Sequence, residues 1–435
     1  MDSKSLASAT VTARVRRAGR IAVALIALTS VVGVAGCSSQ SGAATSSDGK
    51  TVLKVYGWKG GDAEPANMEK VNSAFEQAHP DIDVQFEYVP GNDAYTQKVQ
   101  PELLAGNSAD VIMTDSSKVQ DWGSAGYLED LGGSDWSDSV IPAVSPFIQE
   151  EGTTYALPME LIGIDLYANL DLLKKAGVNE VPATYSDFVA ALQKLKDAGI
   201  TPISLPNKGG WTGASVVNAI AATKVYQDDA DWDKKFLDGS ASFSDWKSSA
   251  DQMMELQSKG FVDFSTELGV DEWGQGLADF TSGKSAFWFQ GAWNQSAVTK
   301  AGINSVFIPW PASDKGQESS ANLFVGTMWS INAKSKVKDA AKEYVGFWSD
   351  SNNAAPFVEA ENAVTPFKDG KTPSTPATKD FVAAVDAGRY RILPSDSWFT
   401  AAGEKQMQQG TQALWLGQVD VNQYVSDLDK LRDKK

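Results

Sequence analysis

The two side chains that dominate nucleophilic and metal chemistry in proteins occur once each in this 435-residue chain, as Cys37 and His79. Zinc and copper centres are built mainly from those residue types, so one of each nearly closes the metal question, and no metal or other cofactor is expected. His79 stands in Ala78-His79-Pro80 at the end of a predicted helix, where an imidazole suits the helix macrodipole. A Ser-His-Asp triad would have to recruit that helix-end residue, so no catalytic residue is assigned. Cys37 has a different setting. Arg14, Arg16, Arg17 and Arg20 form a cationic segment, residues 21–32 an apolar one, and Val34-Ala35-Gly36 places small residues just before the thiol. This pattern predicts a lipoprotein signal over residues 1–36, with Cys37 as the lipidation site. Each buried methylene of a diacyl group adds roughly 0.8 kcal/mol, and two chains anchor stably where one does not. An uncleaved membrane helix fits less well, because the apolar run is shorter than the ~20 residues a span needs and lacks a basic stop-transfer flank.

Cleavage before Cys37 would remove five of the 38 basic and one of the 55 acidic residues, leaving a formal charge of −21. A chain this acidic repels phosphate backbones, so nucleic acid is not an expected partner. The plainest meaning of the charge is solubility. Roughly 400 mature residues exceed what one hydrophobic core usually organises, so two lobes are expected.

The elements that must position any site follow from periodicity. Residues 37–50 are small and polar, a flexible tether. Strands are predicted at 52–56, 84–88 and 111–113. Helices carrying Met68, Val71, Phe75 and Ala78, then Tyr95, Val99 and Leu103, lie between them. This βαβ spacing implies a parallel sheet with ligands received at the carboxyl ends of its strands. The pattern resumes with a strand at 164–167, helices at 170–176 and 185–198, strands at 285–289, 306–308 and 328–331, and a helix at 338–348. Residues 371–378, with Pro373 and Pro376, read as a loop, and 402–431 as terminal amphipathic helices.

From Phe280 to Trp293 the chain reads Phe-Thr-Ser-Gly-Lys-Ser-Ala-Phe-Trp-Phe-Gln-Gly-Ala-Trp. Phe280, Gly283, Lys284, Ala286, Gly291 and Trp293 resemble the F-x-x-G-K-x-A-x-x-x-x-G-x-W segment of the sugar-binding lipoproteins of bacterial ABC importers, relatives of maltose-binding protein. Physically, a helix ends at a glycine turn, a buried strand follows, and Gly291 lets the backbone pass close to a ligand before Trp293 enters the cleft. Further segments resemble the family in order: Ala109-Asp110-Val111-Ile112, Tyr155-Ala156-Leu157-Pro158, Leu166-Tyr167-Ala168-Asn169, Gly326 to Ile331, and Leu393-Pro394 to Trp398. Ala109 and Ala168 depart from the usual proline and aromatic. The resemblance implies an α/β, two-lobed periplasmic-binding-protein-like fold with a ligand cleft between lobes that close by hinge motion. Lobe 1 would comprise 51–163 and 326–385, and lobe 2 164–325 and 386–435.

Sugars offer hydroxyl edges and apolar C–H faces, so a site needs flat aromatic platforms and planar or charged hydrogen-bonding groups. With 14 tryptophans, most must be core, and position selects the candidates. Trp58, Lys59 and Asp62 lie in a glycine-flanked loop after the first strand; an ordinary βα turn is the alternative. Asp115 and Ser116 follow the third strand, where relatives carry carboxylates that bond sugar hydroxyls, although Asp115 would equally serve as a helix N-cap. Glu160, past the first crossing, would reach the cleft or remain a solvated hinge charge. Trp211 is surrounded by glycines, Trp293 matches the family's cleft aromatic, and Trp398 with Asp396 matches its late cleft segment. Trp329 is expected in the hinge strand, and Trp136, Trp232, Trp246, Trp348 and Trp415 in the core.

The resemblance thus implies a monomeric, extracytoplasmic receptor, lipid-anchored to the outer face of the bacterial cell membrane. It would bind an oligosaccharide and deliver it to an ABC importer permease, without being an enzyme. The alternatives are a lipid-anchored glycoside hydrolase, which needs two opposed carboxylates about 5–9 Å apart, an anchored adhesin or sensor, and a receptor for a non-sugar solute.

Overall fold

The computed structural model describes residues 45–60, 66–314, 316–395, 398 and 400–434. The predicted signal segment, Cys37, most of the tether, Asp62 and Asp396 lie outside the described residues. The end of the tether is ordered into a turn: the Ser46 N–H donates to the Lys50 carbonyl (2.9 Å), and Thr45 bridges Thr51.

In chain order the strands are β1 (Thr51–Gly57), β2 (Ile82–Tyr88), β3 (Val111–Thr114), the short hairpin β4 (Gln149–Glu150) and β5 (Thr153–Thr154), β6 (Ala156–Pro158) and β7 (Leu161–Asn169). They continue as β8 (Thr201–Ser204), β9 (Ser285–Gly291), β10 (Ser305–Ile308), β11 (Ala321–Val325), β12 (Met328–Ile331) and β13 (Tyr390–Ile392). They form two principal sheets, ordered β2-β1-β3-β12-β6 and β13-β11-β7-β9-β8, with β10 also on β7. Helices pack on both, giving the two-lobed α/β architecture.

In the first lobe β1, β2 and β3 are parallel, as the βαβ spacing requires. The wholly parallel sheet implied by the sequence does not form, because β12 runs antiparallel to both β3 and β6. Hydrophobic periodicity identifies strands but carries no strand direction, and β12 enters from the other lobe. The helix Met68–Ala78 covers this sheet with Met68, Val71 and Phe75, and ends at His79, whose ring stacks on Phe75.

The centre of the second lobe is β7, whose nine residues are all buried. It begins at Leu161, so the boundary set at residues 163–164 falls inside a continuous strand. The next expected boundary also shifts. Phe381, which a first-lobe segment 326–385 would include, packs on the second sheet against Phe307, and its ring leaves no room for a Cβ at Gly163. The Phe307 N–H also donates to the Ala377 carbonyl (2.7 Å), so the return to the second lobe precedes residue 377. Within β7 the buried Asp165 ties three segments together, its Oδ1 accepting from the Trp310 N–H (2.9 Å) and its Oδ2 from the Asn322 N–H (2.8 Å). Burial pushes this carboxyl well above its usual range, against the pull of the two backbone donors.

Trp136, Trp232, Trp246, Trp348 and Trp415 are all in the core, as is Trp329 in β12.

Candidate functional site

On the first lobe the site is built at the carboxyl ends of β1 and β3. Trp58 follows β1 and sets its ring edge-on to Tyr95 (4.9 Å, 69°), with the Lys118 ammonium 5.0 Å from the ring centroid. Asp115 follows β3 and caps the helix Ser116–Ser124, its Oδ1 accepting from the Lys118 N–H at 2.9 Å. Its Oδ2 accepts from Lys118 Nζ (2.6 Å) and Asn92 Nδ2 (3.0 Å). Burial would raise this carboxyl, but the Lys118 charge and the hydrogen bonds outweigh it and hold it below its usual range. The N-cap role is therefore filled, and Oδ1 keeps one acceptor direction. Ser116 is buried, and its Oγ has no partner among the described residues.

On the second lobe three indoles meet. The helix Trp211–Lys224 starts after Gly210, whose φ of +91° favours glycine and whose Cβ position would lie 2.8 Å from Gln412 Nε2. Trp293 follows β9 and lays its own ring over Gly291, so that glycine accommodates Trp293 itself. Trp273 stacks on Trp293 (5.6 Å, 25°), and Trp211 completes the group at 6.0 Å from Trp273 and 6.4 Å from Trp293. Trp273 is 57% exposed, and the indole N–H groups of Trp211 and Trp293 are buried without a partner among the described residues. Glu272, beside this group, accepts from the Gly209 N–H (2.7 Å), and burial raises its carboxyl. The sequence selects Trp211 and Trp293 as candidates and passes over Trp273, which the structure sets beside them. The available signal was its position before Gly274, ahead of the helix Gln275–Thr281 that leads into the Phe280 segment.

The helix Ala401–Trp415, capped by Thr400, adds Glu404, Gln408 and Gln412 at one-turn spacing along one face. Gln408 Nε2 donates to Glu404 Oε1 (3.2 Å). Burial pushes the Glu404 carboxyl up to about 7, the Asp115 charge adds to this, and Lys118 opposes it. That coupling brings the first turn of a second-lobe helix within electrostatic reach of the end of β3, so the two halves of the candidate site face each other.

Three residues selected from the sequence, Glu160, Lys59 and Trp398, have other surroundings. Glu160 is fully buried, which corrects the reading of a solvated hinge charge. Its Oε1 accepts from Lys59 Nζ (2.7 Å), Thr327 Oγ1 (2.8 Å) and the Thr327 N–H (3.2 Å). Lys59 also donates to Glu361 Oε2 at 2.6 Å. Burial lowers the affinity of Lys59 for its proton, but the two carboxylates outweigh it and hold the ammonium above its usual range. Trp398 is a further correction to the cleft reading. It is 2% exposed, packs edge-on against Phe243 and Trp246, and donates its indole N–H to Asp233 Oδ1 (3.0 Å). Among the described residues no group of three or more His, Cys, Asp or Glu side chains is arranged to hold a metal ion. None of their helices is long and apolar enough to cross a membrane.

The sequence matches known proteins along most of its length. The mannitol-binding protein of Pseudomonas aeruginosa is 27% identical over 344 residues, 75% of each chain. The melibiose/raffinose/stachyose-binding protein MelE of Bacillus subtilis is 24% identical over 339 residues, 75% of this chain and 76% of its own. Among solved structures, a chitin oligosaccharide binding protein has a TM-score of 0.72 at 21% identity, covering 88% of this chain and 98% of its own, a likeness of fold. The profile of the family described as bacterial extracellular solute-binding protein matches residues 60–355. That span runs from the loop after β1 to beyond β12 and takes in every strand but β1 and β13, and the chain belongs to the family of bacterial extracellular solute-binding proteins.

Proposed function

We propose that this extracytoplasmic protein is the receptor of an ABC importer, capturing an oligosaccharide between its lobes and presenting it to a membrane permease. The observation that carries this reading is the indole group of Trp211, Trp273 and Trp293 with its two unpartnered buried N–H donors. Flat apolar faces beside donors without a protein partner suit the C–H faces and hydroxyls of a pyranose. Trp58, Asp115 and Ser116 supply an aromatic edge, an acceptor and a hydroxyl from the other lobe. A ligand touching both lobes favours the closed state, because only that state makes both sets of contacts. Asp62 and Asp396 join as contacts on sequence grounds alone. Diacylated Cys37 would hold the monomer at the outer face of the membrane. The ligands named for the relatives, a hexitol and several galactose-containing or chitin-derived oligosaccharides, support a carbohydrate.

Intrinsic tryptophan fluorescence, titrated with mannitol, melibiose, raffinose, stachyose and chitin oligosaccharides alongside an assay for hydrolysis, tests the proposal. Saturable change without product is expected. Trp293→Ala should cost about 2 kcal/mol, roughly 30-fold in Kd, as expected for a central aromatic contact. Trp273→Ala, at the exposed edge, should cost less and only for the longer ligands. Product formation would favour the hydrolase reading, and silence across the panel would refute the carbohydrate assignment.

A further inference from the structure

We infer that Lys59 is a positioning residue, a strut that sets the resting angle between the lobes, rather than a ligand contact. Its ammonium sits where the first two connections between the lobes meet the end of the helix Ser351–Glu361. Glu160 lies in the first connection, between β6 and β7, and Thr327 lies in the second, between β11 and β12. These two are tied to each other by the Gly326 N–H to the Glu160 carbonyl (3.1 Å) and the Met159 N–H to the Thr327 carbonyl (3.0 Å). Glu361 ends the helix Ser351–Glu361, and three residues on, Val364 exchanges both backbone hydrogen bonds with Leu161 (2.8 Å each) at the start of β7, before the chain pairs with first-lobe residues 139–141 and crosses a third time.

Lys59 is thus bonded to the first connection and to the end of this helix directly, and to the second connection through the oxygen that Glu160 shares with Thr327. The Glu160 and Glu361 side chains are 0% and 2% exposed and Lys59 16%, so this cation bridges two carboxylates shielded from water. There is no slack at this point: a Cβ at Gly326 would lie 2.6 Å from Glu160 Cγ. The residue before Lys59 is Trp58, so a ligand that moves that ring pulls on the hinge through one peptide unit. The inference takes its functional meaning from ligand capture by lobe closure, but its test requires no ligand.

The test uses the full chain carrying Cys37→Ser, with donor and acceptor dyes on Asn107→Cys and Ser258→Cys, exposed positions on the two lobes. Single-molecule energy transfer then reports the ratio of open to closed molecules without ligand. Lys59→Met should change that ratio roughly tenfold or more, Glu361→Gln should move it the same way by less, and Lys59→Arg should restore it. A ligand-free distribution in Lys59→Met superimposable on the parent would overturn the inference, and if saccharide affinity fell at the same time, Lys59 would be a ligand contact. Should Lys59→Met fail to fold, Glu361→Gln decides, and an unchanged ratio there overturns the inference equally. If no saccharide binds the parent chain, the receptor reading fails while the ligand-free ratios still decide the role of Lys59.

Discussion

Replacing Glu404 with glutamine should flatten the dependence of stability on pH. This carboxyl rises from an ordinary 4.5 to about 7, first through burial and then through the negative charge of Asp115. Between those values the folded chain keeps a proton that the unfolded chain releases. Stability must therefore fall as pH rises from about 4.5 through 7 and level off above. A shift of this size has a ceiling of about 3.4 kcal/mol, and partial access to water reduces the expected effect to about 1–2 kcal/mol. Urea denaturation of the parent and Glu404→Gln chains at about pH 5, 6, 7 and 8 should show the parent losing that much more stability. Glu267, which burial also raises to about 7, titrates in the same window but is common to both chains, so the difference isolates Glu404. Asp115→Asn keeps a competent N-cap and removes the opposing charge, so it should shrink the parent's slope. Parallel pH curves for the parent and Glu404→Gln would show that Glu404 is hydrated and far from Asp115, and the facing arrangement of the two half-sites would fall with it.

Two predictions concern the frame of the site. Asp165→Ala leaves the N–H groups of Trp310 and Asn322 buried without an acceptor, and should cost about 3–5 kcal/mol in urea denaturation, where a change under about 1 kcal/mol would mean that water enters. Gly326→Ala must displace Glu160 and with it Lys59, so a loss of about 1–3 kcal/mol is expected together with an altered open-to-closed ratio, and a neutral result would show that the hinge has slack.

Among the helices, the sequence is legible where amphipathic periodicity is strong and silent where burial is nearly complete, whereas the short buried strands β3, β7, β9 and β12 show as apolar runs. Met68, Val71 and Phe75 announce their helix because its other face is wet. The helix Trp211–Lys224 escaped notice because Val216, Val217, Ile220 and Ala221 belong to a segment buried nearly all round, which leaves no stripe to detect. Strand β13 has three residues, too few for any period to register. At the candidate site, the motif singles out Trp293 and the flanking glycines Trp211, whereas Trp273 has only the glycine that follows it. Lys59 shows a deeper limit. A lysine after a strand end suggests a ligand contact, but its partner Glu361 stands 302 positions away, a pairing that no local pattern can contain.

The insertion of β12 between β3 and β6 also governs when the protein can take shape. Thr114 and Ser330 join hydroxyls at 2.8 Å across the middle of the first sheet, yet they lie 216 positions apart. At roughly 5–20 residues per second, a ribosome needs about 10–40 s to travel from one to the other. Throughout that interval the amino-terminal half exists as an unfinished sheet with an open edge, and contacts of such long range form slowly even after synthesis ends. A chain that works outside the cytoplasm gains time from this arrangement, because it is still threadable when it meets the export machinery, and neither lobe expressed alone should hold its structure.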